Sequence, residues 1–286
     1  LKFALPKDEE LSTIPDFEHT AVTVAAKLGI ACDRPAILAE GLSTVVHLRP
    51  HPIVARVTRV AHLIRSVDEV AGTVALARAL PGLVVPPSDQ IEPGPHVADG
   101  RYVTFWAHVD AVPATPREAG SSLRALHDAA RRFDGRLRSF DPRPDALKIA
   151  ALVGEEIGAV LRAAAQRMDL PGLAWQPIHG DAHLGNALAG GQWLDVDEAC
   201  SGPPEWDLAC LRHRSFFLGE LTGETREALE AYGSHDERAV AALDPLVVLF
   251  TAAWGAMAPF VGEPIGSRTR QRLDWLREHG ARGAKR

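Results

Sequence analysis

The chain changes character near residue 107, and that change constrains its fold more than any other feature. Before it, short apolar runs alternate with turn residues. Residues 36–40, 45–48 and 53–57 read as strands, separated by Gly41-Leu42-Ser43-Thr44 and by Pro50-His51-Pro52. Connections this short join antiparallel neighbours. Residues 16–28 and 67–80 carry the helical apolar period. Val84 and Val85 start an extended segment, residues 86–100 read as a Pro/Gly-rich loop, and residues 102–109 read as a strand. From Pro116 onward the pattern is helical, at 118–133, 146–168, 205–218, 225–232, 237–260 and 268–279. A strand-rich part, residues 1–106, thus joins a helix-rich part, residues 107–286. The expected class is α+β, with two lobes and a cleft between them.

Composition narrows the function classes. Of 286 residues, 46% are apolar and 24% charged, which is ordinary for a globular chain with a core. The formal net charge is −6, and no Lys/Arg run forms a nucleic-acid stripe; Arg282, Lys285 and Arg286 read as a solvated basic end. The three cysteines, Cys32, Cys200 and Cys210, lack close spacing, which fits a reducing cytoplasm and no disulfide framework. The N-terminus turns acidic at once and lacks an apolar core of signal-peptide length. Residues 245–262 form the longest uncharged stretch, but Pro245, Thr251, Gly255 and Pro259 interrupt it, so it reads as a buried core helix and not a membrane span. Neither nucleic acid nor membrane is an expected partner.

The chemistry concentrates in residues 178–202. There Ile178-His179-Gly180-Asp181-Ala182-His183-Leu184-Gly185-Asn186 is followed by Leu194-Asp195-Val196-Asp197-Glu198. Glycines at 180, 185, 190 and 191 permit tight turns beside crowded polar groups. Asp181 and Asn186 are five apart, the spacing of the catalytic loop H-R-D-x-x-x-x-N. Asp195 follows on a short apolar strand. Hard oxygen donors of this kind suit magnesium, and one further carboxylate can orient a hydroxyl and accept its proton.

His-Gly-Asp-x-His-x-x-Asn, then Leu-Asp-x-Asp, then Glu-Trp-Asp-Leu-Ala, resembles the aminoglycoside phosphotransferase family and its choline-kinase-like relatives. The likeness is densest over residues 178–211. It implies a protein-kinase-like two-lobe fold, with an antiparallel-sheet nucleotide lobe over 1–106 and a mainly helical catalytic and acceptor lobe over 107–286. It also implies Mg2+, ATP or GTP as donor, and a small-molecule hydroxyl as acceptor. By resemblance Asp181 is the catalytic base, and Asn186 and Asp195 are the magnesium ligands. His179 and His183 shape the loop, and Asp207 braces it from a helix start. Ser43 and Thr44 lie in the phosphate-facing hairpin, and residues 107–109 form the purine-facing hinge. The family's phosphate-binding Lys is replaced by Arg56, for which Glu69 is the expected partner and Asp68 the fallback. No G-x-x-x-x-G-K-[ST] or G-x-G-x-x-G is present, which speaks against other nucleotide folds.

Two other readings stand beside this one. Arg56 motivates a nucleotide-binding protein without turnover. The alternation of His179, Asp181 and His183 motivates a metal-dependent hydrolase. The acids Asp197, Glu198 and Glu205 near the segment suit a cationic acceptor.

Overall fold

The computed structural model describes residues 16–217 and 222–279. The N-terminal stretch, the basic end at Arg282, Lys285 and Arg286, and Leu218 and Gly219 lie outside the described residues.

Helix α1 (Phe17–Lys27) starts where Asp16 accepts from the His19 N–H, and it buries Phe17, Ala21, Val24 and Ala25. Strands β1 (Arg34–Glu40), β2 (Ser43–Arg49) and β3 (Ile53–Thr58) follow, then helix α2 (Val67–Ala79), then β4 (His96–Ala98) and β5 (Arg101–Ala107). They form one antiparallel sheet in the order β1-β2-β3-β5-β4. Side chains alternate across it. Val46, Leu48, Ile53, Ala55, Val57, Val103 and Phe105 pack with α1 into a first core. The interleaved Val45, Val54, Arg56, Thr104 and Trp106 face the other way, toward cavities. Arg56 therefore points into the cleft because it alternates with Ala55 and Val57. The short strand β4 lies inside the stretch expected to be a loop, where only three residues pair with β5.

The remaining chain is helical: α3 (Pro116–Ala130), α4 (Pro142–Leu152), α5 (Glu155–Arg167), α6 (Pro204–Phe216), α7 (Gly223–Tyr232), α8 (Glu237–Gly255) and α9 (Ser267–His279). Strands β6 (Gln176–Ile178) and β7 (Cys200–Gly202) pair with each other and bracket the polar segment. The expected helix over 146–168 is two helices. The break falls at Val153, whose backbone turns extended, and at Gly154, which precedes α5; Gly158 then lets α5 fold back tightly on α4, since a Cβ there would lie 2.5 Å from the Ala150 carbonyl oxygen. The apolar period runs through the break because Ile149 and Leu161 enter the same core. Helix α8 and its continuation to Val261 are long and apolar enough to cross a bilayer, yet most of that window is buried within the helical lobe.

The second core draws on both lobes. Helix α2 sends Val74, Leu76 and Ala77 into it beside residues of α3 to α9. A buried ion cluster joins the lobes at the same place. Arg65, just before α2, lies 2.6 Å from Asp145 of α4 and 2.5 Å from Glu198, and Arg138 reaches Glu198 at 2.9 Å. Helices α3 and α7 meet so closely that a Cβ on Gly120 would lie 1.9 Å from the Ala228 carbonyl oxygen. Gly120→Ala should therefore force the pair apart and cost about 3 kcal/mol. Urea unfolding with an unchanged m-value is the measurement, and a midpoint equal to wild type would refute the close approach.

Candidate active site

The site is built on a buried carboxylate. Asp207, in the first turn of α6, is fully buried. Its Oδ2 accepts from the His179 N–H at 2.8 Å and lies 2.9 Å from His127 Nε2, while its Oδ1 accepts from the Gly180 N–H at 2.8 Å. The indole of neighbouring Trp206 donates to the Gly180 carbonyl at 2.8 Å. Gly180 has φ +87°, and a Cβ there would lie 2.0 Å from the Glu198 carbonyl oxygen, so only glycine fits. His179 is buried against Trp193 and neutral, because burial lowers its proton affinity. Its Nε2 donates to the Leu194 carbonyl at 2.8 Å, and its Nδ1 accepts from the Asp181 N–H at 3.3 Å.

Beyond this anchor the loop closes on itself. Asn186 Nδ2 donates to the Asp181 carbonyl at 3.1 Å, so its Oδ1 is the atom left for a ligand. The Asn186 carbonyl accepts from the Leu194 N–H at 2.8 Å, which ties the loop to the strand-like approach of Asp195. Asp195 sits at φ +58°, a left-handed conformation that aspartate tolerates better than most side chains. Burial, reinforced by the charges of Asp195, Glu198 and Asp207, pushes the Asp181 carboxyl up to about 8.

Arg56 lies opposite. Its Nη2 is 3.0 Å from Asp195 Oδ1, and its Nε is 2.7 Å from Asp197 Oδ2, an ion contact without hydrogen-bond alignment. Two cavities meet at this trio. A larger one of about 510 Å³ runs from Gly41, Leu42 and Ser43 past Asp181 to α8 and α9. A smaller one of about 330 Å³ runs along Val54, Trp106 and residues 107–109 to Trp193. At that hinge the Ala107 and His108 N–H groups are committed to Pro86 and Pro52.

With this geometry in hand, the comparisons decide the family. The model of the phosphotransferase enzyme family (APH) matches residues 92–245, more than half of the chain. The chain belongs to that phosphotransferase family. No curated protein matches the sequence. Solved structures match closely in fold at low identity. The choline kinase LicA from Streptococcus pneumoniae superposes with a TM-score of 0.66 at 15% identity, covering 92% of this chain and 99% of that one. The amicoumacin kinase hAmiN, in complex with AMP-PNP, Ca2+ and Ami, also gives 0.66 at 15% identity, covering 96% and 95%. The microcompartment-associated aminopropanol kinase gives 0.61 at 17%, covering 93% and 96%. The fold is therefore the two-lobe kinase-like fold, with an antiparallel-sheet lobe and a mainly helical lobe.

Within this phosphotransferase, the structure brings Ser43, Arg56, Asp181, His183 and Asp195 to the larger cavity and Asn186 to the smaller one. His183 is exposed there, with its Nδ1 accepting from the Gly185 N–H at 3.1 Å. Three expectations need correction. Thr44 faces the α1 side of the sheet with Val46, and its fully buried hydroxyl lacks a partner among the described residues, so its side chain does not line the cavity. Glu69 is not the partner of Arg56: it closes the capping box of α2 by accepting from the Ser66 N–H at 2.7 Å. The planar guanidinium instead spans Asp195 and Asp197, a geometry that a Lys could not copy. His179, with both ring nitrogens committed inside the protein, is not available as a metal ligand, which removes the hydrolase cluster.

Sequence reasoning missed Arg65, Arg138 and Asp145, because their cluster is tied together across the chain: Arg65 and Glu198 lie 133 residues apart, and Arg138 and Glu198 lie 60 apart. It also missed Arg272 of α9, which lines the larger cavity. Of the three acids read as a cation-binding patch, two are already paired, Asp197 with Arg56 and Glu198 with Arg65 and Arg138; Glu205, in the first turn of α6, lines neither cavity.

Asn186 Oδ1 and Asp195 are hard oxygen donors beside several mutually repelling carboxylates, and a magnesium ion fits that set. Among the described residues no group of three or more His, Cys, Asp or Glu side chains forms a metal cage, so the remaining ligands would be phosphate oxygens and water. Asp207→Asn places an NH2 group where N–H donors now converge. It should cost about 3 kcal/mol and lower the urea midpoint. A midpoint and activity like wild type would contradict the bracing role.

Proposed function

We propose that this phosphotransferase moves the γ-phosphate of ATP or GTP to a hydroxyl group of a small molecule. One observation carries the reading: Arg56, Asp195 and Asp197 line both cavities, so a nucleotide along the hinge and an acceptor beside Asp181 would meet at one point. The purine would lie in the smaller cavity against Val54, Trp106 and Trp193. The phosphates would extend past Arg56 and beneath the backbone of Gly41, Leu42 and Ser43.

Asp181 is the proposed base, acting in its ionised form, so its carboxyl at about 8 makes turnover rise with pH through that range. The acceptor oxygen attacks the γ-phosphorus, the bond to the bridging oxygen breaks, the nucleoside diphosphate leaves, and the acceptor proton passes to Asp181. Asn186 and Asp195 would hold magnesium, which when bound neutralises phosphate charge. The remaining contribution is positioning, and phosphoryl transfer asks for little else. AMP-PNP and Ca2+ in the amicoumacin kinase support a nucleotide and a divalent cation for this fold.

The double ion contact of Arg56 favours a second reading, nucleotide binding without turnover, since it engages the Asp195 carboxylate that a metal needs. Incubating the protein with Mg2+, ATP or GTP and a panel of hydroxyl compounds separates the two. Asp181→Asn should lower kcat by about 10²–10⁴-fold while nucleotide affinity stays close to wild type. Arg56→Ala should raise the nucleotide KM about tenfold, and Arg56→Lys should recover part of that. Nucleotide binding with no phosphorylated product from any acceptor would favour the second reading.

A further inference from the structure

The larger cavity ends on a cation that makes no direct ion pair among the described residues, with Asp181 as the carboxylate acting on it across the cavity. Arg272 of α9 lines it opposite the phosphate-facing hairpin, together with Phe250, Thr251 and Trp254 of α8. Its Nε donates to His213 Nε2 at 3.1 Å. Burial, with Arg272 beside it, lowers His213 to about 4, so the imidazole is neutral and can accept this bond. The guanidinium is thus held by one edge. Its two NH2 groups form no ion pair or hydrogen bond among the described residues. The other arginines of the cavity differ: Arg56 faces Asp195 and Asp197, and Arg65 faces Asp145 and Glu198.

Most carboxylates of the cavity are already paired, which leaves exposed Glu40 and the proposed base Asp181. Asp195, Asp197 and Glu198 have arginine partners. The Trp254 ring has the Arg65 guanidinium 5.4 Å from its centroid, so a protein cation already sits against it. Burial and the charge of Arg268 work against the Arg272 charge and outweigh the support of Asp181, and an anion in the cavity would add to that support.

We infer that the acceptor is a hydroxylated anion, a carboxylate or an equivalent oxyanion, whose charged group docks on Arg272 and so presents its hydroxyl to Asp181. A planar fork held by His213 is pre-organised for a two-point contact with a carboxylate. This inference rests on the phosphotransferase reading. It replaces the cationic acceptor suggested by the acids of the sequence. Arg272 is a specificity determinant, and the base and metal ligands are unchanged.

The test uses two charge-matched trios: gluconate, glucose and glucosamine, and glycerate, glycerol and serinol. Each is offered with Mg·ATP, and phosphorylated product is measured by mass spectrometry. At least one acid should exceed its neutral and cationic counterparts in kcat/KM by about tenfold or more. Arg272→Gln should raise the KM for that acid by about 10–100-fold and bring its preference close to unity, with the ATP KM little changed. Arg272→Lys, which keeps the charge but not the fork, should recover part of the loss.

The inference is overturned if neutral or cationic members serve as well as the acids, or if no acid is phosphorylated. It is also overturned if Arg272→Gln lowers kcat equally for every acceptor, since Arg272 would then act on the phosphate. Slow Mg·ATP hydrolysis by water, sensitive to Asp181→Asn, reports on the phosphotransferase reading separately. If that hydrolysis is present and the acid preference absent, only the anionic acceptor falls. If nucleotide neither binds nor hydrolyses, both fall.

Discussion

A single buried carboxylate organises the candidate catalytic segment. Asp207 has no exposure to water, so its charge must be compensated inside the protein. Two backbone N–H groups, the His127 ring and the N-terminal end of α6 do so together. Each such hydrogen bond contributes about 1.5–3 kcal/mol. The same bonds fix the backbone of His179 and Gly180, and Gly180 in turn lies against the Glu198 carbonyl. Asp181 is therefore aimed by a network whose other members never reach the cavity.

Charge pairing then divides the cleft into regions with different tasks. Arg56 engages Asp195 and Asp197 at the meeting point of the two cavities. Arg65 and Arg138 hold Glu198 and Asp145 below it, and they stitch the sheet lobe to the helical lobe. Such a buried cluster gains little net stability over apolar packing, but losing one member strands the others. Its evident use is geometric. Glu198 lies three residues after Asp195, so fixing Glu198 limits where Asp195 can move.

The replacement of Lys by Arg at position 56 is accommodated by a change of partner. Glu69 is committed to capping α2, whose apolar face is buried in the helical core. The longer, planar side chain crosses to the opposite wall and takes two acids there. One cavity wall is thereby neutralised, and Arg272 is left as the cavity arginine with no direct ion pair among the described residues. The sign of the acceptor site follows from which acids are already paired, not from how many acids the segment contains.

Much of the architecture was legible in the sequence because it is local. The period of two in residues 45–48 and 53–57, the helical period after Pro116, and the Asp181–Asn186 spacing within one loop all report on neighbours along the chain. The sequence by itself thus determined the two-lobe class and the gathering of Asp181, Asn186 and Asp195 in one polar segment. It did not determine the break at Val153 and Gly154, because the apolar period continues through it, and the tight return of α5 onto α4 depends on the close approach of Gly158 to the Ala150 carbonyl. Nor did it determine that Thr44 turns away from the cavity, that Glu69 caps a helix, or that Arg272 enters the acceptor region from α9. Those outcomes depend on contacts between residues far apart in sequence, where pairing energy is set by burial and distance. Only the folded chain brings such groups close enough to choose a partner.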